Sequence, residues 1–402
     1  MSTWATSTLG ELCEISIGKT PARAERQYWG GDRAWLSIAD MNQGRELHHT
    51  KEYVTEAAAA GPAGRLVAPG TLLLSFKLSV GKLGFARIPM YTNEAIAALP
   101  VKNPSLVDSG FLYWALRRTD LLRNADDAAM GKNLNKKKLA SVEVSLPSLA
   151  EQRRIAAVLD QADSLRTKRR AAIALLDDLT QSVFLDMFAT DNPEWPETTV
   201  EELTQGHKGS IRTGPFGSQL LHEEFTDSGI PVLGIDNAVH NEFRWGERRY
   251  ITEEKYEQLK RYTVFPGDVL ITIMGTCGRC AIVPDDIPTA INTKHLCCIT
   301  LDQRKCLPEF LHSYFLMHPV SRSYLTRTAK GAIMTGLNMG IIKELPVRLP
   351  PISLQQEYVN QLHQIRASRE LQECHLSALD ELFASVQHRA FSGILWDHEA
   401  AA

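Results

Sequence analysis

Leu146-Pro147-Ser148-Leu149-Ala150-Glu151-Gln152 returns 203 positions later as Leu349-Pro350-Pro351-Ile352-Ser353-Leu354-Gln355. The same shift pairs Leu134-Asn135 with Leu337-Asn338, Val144 with Val347 and Leu179 with Leu382, and a constant offset over such a length is a duplication. Upstream the match continues with small gaps. Pro69-Gly70 before Thr71-Leu72-Leu73-Leu74 answers Pro266-Gly267 before Asp268-Val269-Leu270-Ile271. Tyr91-Thr92-Asn93 answers Ala290-Ile291-Asn292, and Ile17-Gly18 answers Thr213-Gly214. A period of about 200 residues is far too long for a solenoid, so the chain reads as two copies of one domain, each followed by a long helix.

Periodicity sets those helices. From Leu149 to about Ala189, without Gly or Pro, apolar residues recur at Ile155, Leu159, Ala162, Leu165, Ala172, Leu176, Leu179, Val183 and Met187, the spacing of a coiled-coil seam. From Leu354 to about Phe391 the stripe is Tyr358, Leu362, Ile365, Leu379, Leu382 and Val386, thinner between Ser368 and His375. Each helix starts just after a proline, whose missing N–H costs nothing there, and Asp191-Asn192-Pro193 marks the turn into the second domain. The resulting boundaries are 1–146 and 191–349 for the domains, 147–190 and 350–392 for the long helices, and 393–402 for a tail.

At 1.5 Å per residue each helix is about 60 Å long. The second domain carries the chain from the end of one helix to the start of the other, and an antiparallel pair lets it do so without a long return linker. The expected fold is therefore α+β: two repeated α/β domains separated by an antiparallel coiled coil, with pseudo-twofold symmetry. Strands are expected at Leu72 to Phe76, Val142 to Leu146, Val269 to Ile273 and Ile299 to Leu301, and helices near Gly110 to Arg117 and Glu309 to Met317.

The chain is 44% hydrophobic and 23% charged, a globular balance. Its net charge of −3 is uneven: residues 1–146 carry 18 Lys/Arg against 14 Asp/Glu, and residues 191–349 carry 17 against 20. Neither half has the basic excess that marks nucleic-acid binding by charge alone. No run of about 18 apolar residues occurs, and Met1 to Gly10 lacks a signal-peptide pattern. Seven scattered cysteines suit a reducing compartment, so a cytoplasmic protein with no membrane association is expected.

Catalytic motifs fail on inspection. Gly18-Lys19-Thr20 has the tail of a phosphate loop, but Cys13 stands where that motif needs its first glycine. Asn192-Pro193-Glu194-Trp195 has Glu194 in place of an adenine methylase's second proline, and reads as a turn. Pro284-Asp285 with Lys294 lacks an acid at Asn292, so a nuclease metal site is short of a ligand. Cys277-Gly278-Arg279-Cys280, near His295, Cys297 and Cys298, has zinc-like spacing. In the sister domain, however, Val80 and Leu83 fill the places of Cys277 and Cys280, which favours buried apolar thiols; no metal site is assigned.

The chain resembles the specificity subunits of Type I restriction-modification systems. Leu-Pro-x-x-x-x-Gln opening a long helix, at Leu146 and again at Leu349, is similar to the start of that family's conserved helical regions. Gly214-Pro215-Phe216-Gly217-Ser218 followed by Ile230-Pro231-Val232 is similar to the beginning of a target recognition domain, and Pro266-Gly267-Asp268-Val269-Leu270-Ile271 with Gly275 and Gly278 to its middle. In the first domain Gly18-Lys19-Thr20-Pro21 replaces the Gly-Pro-Phe-Gly stretch. The resemblance implies a non-catalytic subunit that reads a bipartite double-stranded DNA target, one half-site per domain. It also implies two methyltransferase subunits docked on the long helices and restriction/translocase subunits in the complex, with S-adenosylmethionine, ATP and magnesium held by those partners.

For DNA contact, Arg and Lys suit guanine or phosphate, and Asn and Gln suit adenine. The candidates in the first domain are Lys19, Thr20, Arg23, Arg26, Gln27, Tyr28, Lys77, Lys82, Asn93, Lys132, Asn133, Lys136 and Lys137. In the second they are Arg212, Ser218, Gln219, Arg244, Arg248, Arg249, Arg279, Lys294, His295 and Lys330. Asn135 and Asn338 recur in register, and the alternative for that pair is a helix cap shared by both copies. Candidate partner-docking residues on the helices are Ile155, Leu159, Leu165, Leu176, Leu179, Leu362, Ile365, Leu379 and Leu382. The competing readings are a stand-alone methylase or nuclease with diverged motifs, and a coiled-coil scaffold that binds protein only.

Overall fold

The structure is a computed structural model that describes residues 4–77, 79–121, 126–128, 131–190, 192–328 and 337–395, with backbone only at 126–128 and 131–133. Two compact units emerge, residues 1–169 with 375–402 and residues 170–374. The long helices span Leu149–Phe188 and Ile352–Ser392, so each begins in one unit and ends in the other.

The units share one plan. In the first, a sheet orders strands Ser16–Ile17, Ile96–Leu99, Leu72–Ser75, Leu83–Ala86 and Glu46–Leu47. In the second, Ile211–Thr213, Leu296–Ile299, Val269–Thr272 and Cys280–Ile282 take the same order. A second sheet in each unit contains a parallel pair: Trp35 faces Tyr91 and Leu36 faces Thr92, as Val232 faces Ile291 and Leu233 faces Asn292. Tyr91-Thr92-Asn93 therefore corresponds to Ile291-Asn292-Thr293, one residue later than the sequence match put it. The strand expected at Ile299 to Leu301 is in fact Leu296–Ile299, whose two cysteines sit fully buried in the sheet. The helices expected near Gly110 and Glu309 are Ser109–Arg118 and Pro308–Met317.

The repeated Leu-Pro-x-x-x-x-Gln motif has a physical explanation. Gln152 is fully buried; its Oε1 accepts from Asp108 N–H (2.9 Å), and its Nε2 donates to the carbonyls of Leu106 and Pro147 (3.0 Å each). Gln355 is equally buried and does the same with Leu307 N–H, Lys305 O and Pro350 O. Every hydrogen-bonding group of a buried side chain must find a partner, and this amide satisfies three backbone groups at once. It ties the first turn of each long helix to the loop that opens the helix packed beneath it. Ser148 adds a cap, its hydroxyl accepting from Glu151 N–H (3.3 Å).

Each unit's main core is closed by both helices. In the first unit Ile155, Ala156 and Leu159 join Phe383 and Ala390 around Phe111 and Trp114. In the second, Phe184 and Phe188 join Tyr358, Val359 and Leu362 around Phe310 and Tyr314. Burying each such leucine or isoleucine contributes about 1.5–3 kcal/mol. Within the second unit Phe184 packs on Tyr358 (5.5 Å between centroids) while Asp177 pairs with Arg369 (3.1 Å), so the two helical segments run antiparallel there.

Candidate nucleic-acid interface

In both units one glycine sets the loop that follows the edge strand. Gly18 N–H donates to Ile96 O and Lys19 N–H to Thr92 O, and a Cβ on Gly18 would lie 2.1 Å from Thr92 O. Gly214 N–H donates to Thr293 O, and its Cβ would meet Asn292 O at 2.0 Å. No other residue tolerates so close a backbone approach. A second shared device went unnoticed in the sequence. The buried hydroxyls of Ser75 and Thr272 accept from Lys82 N–H and Arg279 N–H (2.9 Å each), across tight loops with Gly81 at φ +98° and Gly278 at φ +77°. Lys82 and Arg279 thus leave the sheet at equivalent points; the equal spacing of hydroxyl, glycine and cation was the available signal.

The first unit places its candidates unevenly. Lys19 and Lys136 line one groove. The Thr20 hydroxyl donates to Glu94. Arg23 is held by Glu52 and lies 4.0 Å over the Trp29 ring and 5.0 Å over that of Trp35. Arg26, Gln27 and Tyr28 form a single 3₁₀ turn; the first two are exposed, and Gln27 reaches Glu25 (3.3 Å). The Lys77 ammonium sits over Phe76 (5.4 Å), while Lys82 Nζ donates to Asn42 Oδ1 (2.7 Å). Asn93 uses its Oδ1 on Ala95 N–H (3.0 Å), a turn-forming bond. Lys136 and Lys137 are exposed in the first turn of helix Lys136–Ala140, capped by Asn135. Asn338 caps Met339–Lys343 in the same way, so this pair is structural. The side chains of Lys132 and Asn133 lie outside the described residues.

In the second unit Arg212 is a correction. Its side chain is only 8% exposed and its guanidinium donates to Asp268 (2.6 Å), itself 1% exposed, and to Thr300 Oγ1 (2.9 Å). A guanidinium so engaged braces the sheet and is not free for DNA. Ser218 and Gln219 occupy the exposed turn Gly217–Gln219, where Gln219 Oε1 accepts from Tyr262 O–H (2.8 Å). Arg244 pairs with Glu242 (3.0 Å) and Arg249 with Asp236 (3.4 Å). Arg248 lies 5.0 Å over the Trp245 ring, and Arg279 is exposed. Arg249, Lys294 and His295 come together: burial first, then the charges of Lys294 and Arg249, hold the His295 imidazole below its ordinary pKa. Lys330 lies outside the described residues.

Cys277, Cys280, Cys297 and Cys298 are all buried, and burial pushes the Cys297 thiol up to about 12. Among the described residues no cluster of three or more His, Cys, Asp or Glu is arranged to hold a metal, and no helix is long and apolar enough to cross a membrane.

On the long helices, Ile155, Leu159 and Leu362 are a second correction. They are at most 3% exposed inside the chain's own cores and are unavailable to a partner. Leu165, Leu179 and Leu382 are exposed, as are Leu175 and Leu371, whereas Leu176, Ile365 and Leu379 are half-buried.

A family model for the Type I restriction modification DNA specificity domain matches residues 1–175 and 210–379. The EcoBI specificity subunit of Escherichia coli is 27% identical over 365 residues, 83% of this chain and 75% of that protein. The MjaIX specificity subunit of Methanocaldococcus jannaschii is 26% identical over 253 residues, 59% of this chain and 58% of that protein. Among solved structures, the Type I restriction-modification S subunit from M. genitalium superimposes with a TM-score of 0.60 at 14% identity, covering 96% of each chain. A structure from a study of assembly and conformational transition of the type I R-M system gives 0.57 at 16% identity, covering 98% of each.

Proposed function

The chain belongs to the family of Type I restriction modification DNA specificity domains, and from that premise we propose that its two domains each read one half of a split duplex target. It is a DNA sequence-specificity subunit. One observation carries the bipartite reading: the same sheet order, the same glycine-set loop and the same hydroxyl-held cation occur twice, once in each unit. Lys and Arg that lack internal acid partners contact phosphate and fix the register, and loop side chains then read base edges. The gap between half-sites follows from the long helices.

The chain itself performs no catalysis. Two methyltransferase subunits dock on the helices through exposed leucines such as Leu165, Leu179 and Leu382, and restriction/translocase subunits join them. These partners hold S-adenosylmethionine, ATP and magnesium and modify an adenine in each half-site, flipped from the duplex. The assembly works in the cytoplasm.

Methylome sequencing of the host with and without this gene tests the proposal. A bipartite adenine motif that vanishes on deletion is expected; an unchanged methylome, or a lost motif that is contiguous, overturns it. Methyl transfer from labelled S-adenosylmethionine to DNA by the purified chain alone would overturn the non-catalytic assignment.

A further inference from the structure

Each unit has a groove beside its outermost strand. In the first unit it has a volume of about 570 Å³, runs along Ser16–Ile17 and is lined by Lys19, Arg65, Lys136 and Glu14. In the second it is about 820 Å³, meets the strand Ile211–Thr213 at Arg212 and is lined also by Lys208, Lys260, Arg261 and Asp268. The two overlap in position: Ser16, Gly64 and Arg65 line the first where their counterparts Arg212, Arg261 and Tyr262 line the second. Both strands sit at the same edge of the same sheet order, and the facing walls correspond: Val67 bridges Met90 where Val264 pairs with Ala290, which makes Gly64 the counterpart of Arg261.

The lining residues differ, yet both grooves carry an excess of positive charge. Three cations face one carboxylate in the first groove and four face one in the second, within a chain of net charge −3. Some of these cations are committed: Arg65 to Glu14, Arg212 to Asp268 and Lys260 to Glu257. Two per groove have no carboxylate partner among the described residues, Lys19 and Lys136 in one, Lys208 and Arg261 in the other. Arg261 is held in place by its bond to Tyr262 O–H (2.6 Å), whose own hydroxyl reaches Gln219 in the loop after Gly214. The second groove is thereby coupled to the reading loop.

We propose that the paired grooves are tracks for the phosphate backbone of duplex DNA, with Lys208 and Arg261 serving the second domain as Lys19 and Lys136 serve the first. The inference rests on the DNA-reading function above and deepens it: these four cations supply register and affinity, and the loops supply sequence. Unrelated residues give both overlapping grooves positive charge because a phosphate requires only a positive field at the right position, whereas a base edge requires a particular donor pattern.

The test uses the full chain assembled with its modification subunits. Duplexes carry either the methylated motif or a scrambled sequence of equal length and composition, and binding is titrated against salt. Lys208→Gln with Arg261→Gln, and separately Lys19→Gln with Lys136→Gln, should each make the slope of log K against log[salt] shallower by about 1–2, since each phosphate contact contributes about 0.9. Affinity should fall by the same factor on both duplexes, leaving their ratio unchanged. The charge-keeping pair Lys208→Arg with Arg261→Lys should retain the parent slope, which separates charge from misfolding. An unchanged slope, or an altered ratio at constant slope, overturns the proposal. Failure of the broader reading shows separately, as equal affinity of the unaltered complex for both duplexes, and the slope still reports on the grooves.

Discussion

The two units solve one packing problem in opposite ways. In the first, the crevice between the sheet and the first long helix is filled by Arg45, whose guanidinium lies 4.7 Å from the Tyr113 ring and 5.4 Å from that of Phe85 and binds Asp160 (3.0 Å). Asp160 also accepts from the Trp114 indole (2.6 Å). The equivalent positions in the second unit are His312 for Tyr113, Ser313 for Trp114, Ile282 for Phe85 and His363 for Asp160. Beside Ile282 and His312 a cleft of about 800 Å³ opens, walled also by Glu242, Glu309, Arg366 and Arg369. The devices common to both units act on the backbone: the buried glutamine, the close-packed glycine and the hydroxyl latch. The side chains that fill the crevice have diverged, so the frame that aims the loops does not depend on how the crevice is filled.

The largest test of this contrast is at the sixth residue of each short core helix. Trp114→Ala should lower the unfolding free energy by about 4 kcal/mol, for lost packing and an open cavity. Ser313→Ala removes one buried hydrogen bond, to Tyr358 O–H (2.7 Å), and should cost about 1 kcal/mol. Urea unfolding of the full chain measures both, and equal costs would break the comparison. Next comes Arg45→Met, which takes from Asp160 its cation and leaves it the Trp114 indole. The pair is partly exposed (21% and 39%), so the cost should be about 2 kcal/mol, below that of a fully buried pair.

Acid should act on the second unit. Burial first, with Arg366 adding to it, depresses the His312 pKa despite the carbonyls of Asn241 and Cys280 that its Nε2–H meets. Burial likewise depresses His318, which is stacked on Tyr314. A depressed folded-state pKa means that the unfolded chain takes up the proton first. The stabilisation is complete above the ordinary value of 6.5 and is lost as pH falls from there toward the lower folded-state values. The urea midpoint should therefore drop on acidification below about pH 6.5, and His312→Gln should shrink that drop; an equal drop in the variant places the proton uptake elsewhere.

Most of the architecture was legible because duplication and helical period are properties of linear order. The Asn135 and Asn338 match pointed to caps, and caps they are. What was hidden depends on partners distant in sequence. Arg212 reads as a loop charge until Asp268, 56 residues later, is seen to hold it; Arg23 has the same relation to Glu52. Heptad spacing marked Ile155, Leu159 and Leu362 as apolar without showing that they face their own domain. Lys208 and Arg261 escaped notice because their groove is assembled from separate segments and neither lies in a repeated motif.

The smallest effect tests the shared frame itself. Asn135 Oδ1 accepts from Lys138 N–H (2.9 Å) and Asn338 Oδ1 from Ile341 N–H (3.1 Å), each starting a five-residue helix just before the strand that feeds a long helix. Replacing either with Ala removes the cap acceptor and should cost about 1 kcal/mol, the usual value for a lost N-cap. The two costs should agree within a few tenths of a kcal/mol, because the bonds and the elements they start are alike although their surroundings differ: three lysines in one helix, Met339, Ile341 and Ile342 in the other. Unequal costs in urea unfolding would mean that the diverged side chains reach into the frame, and the separation between aiming and filling would have to be given up.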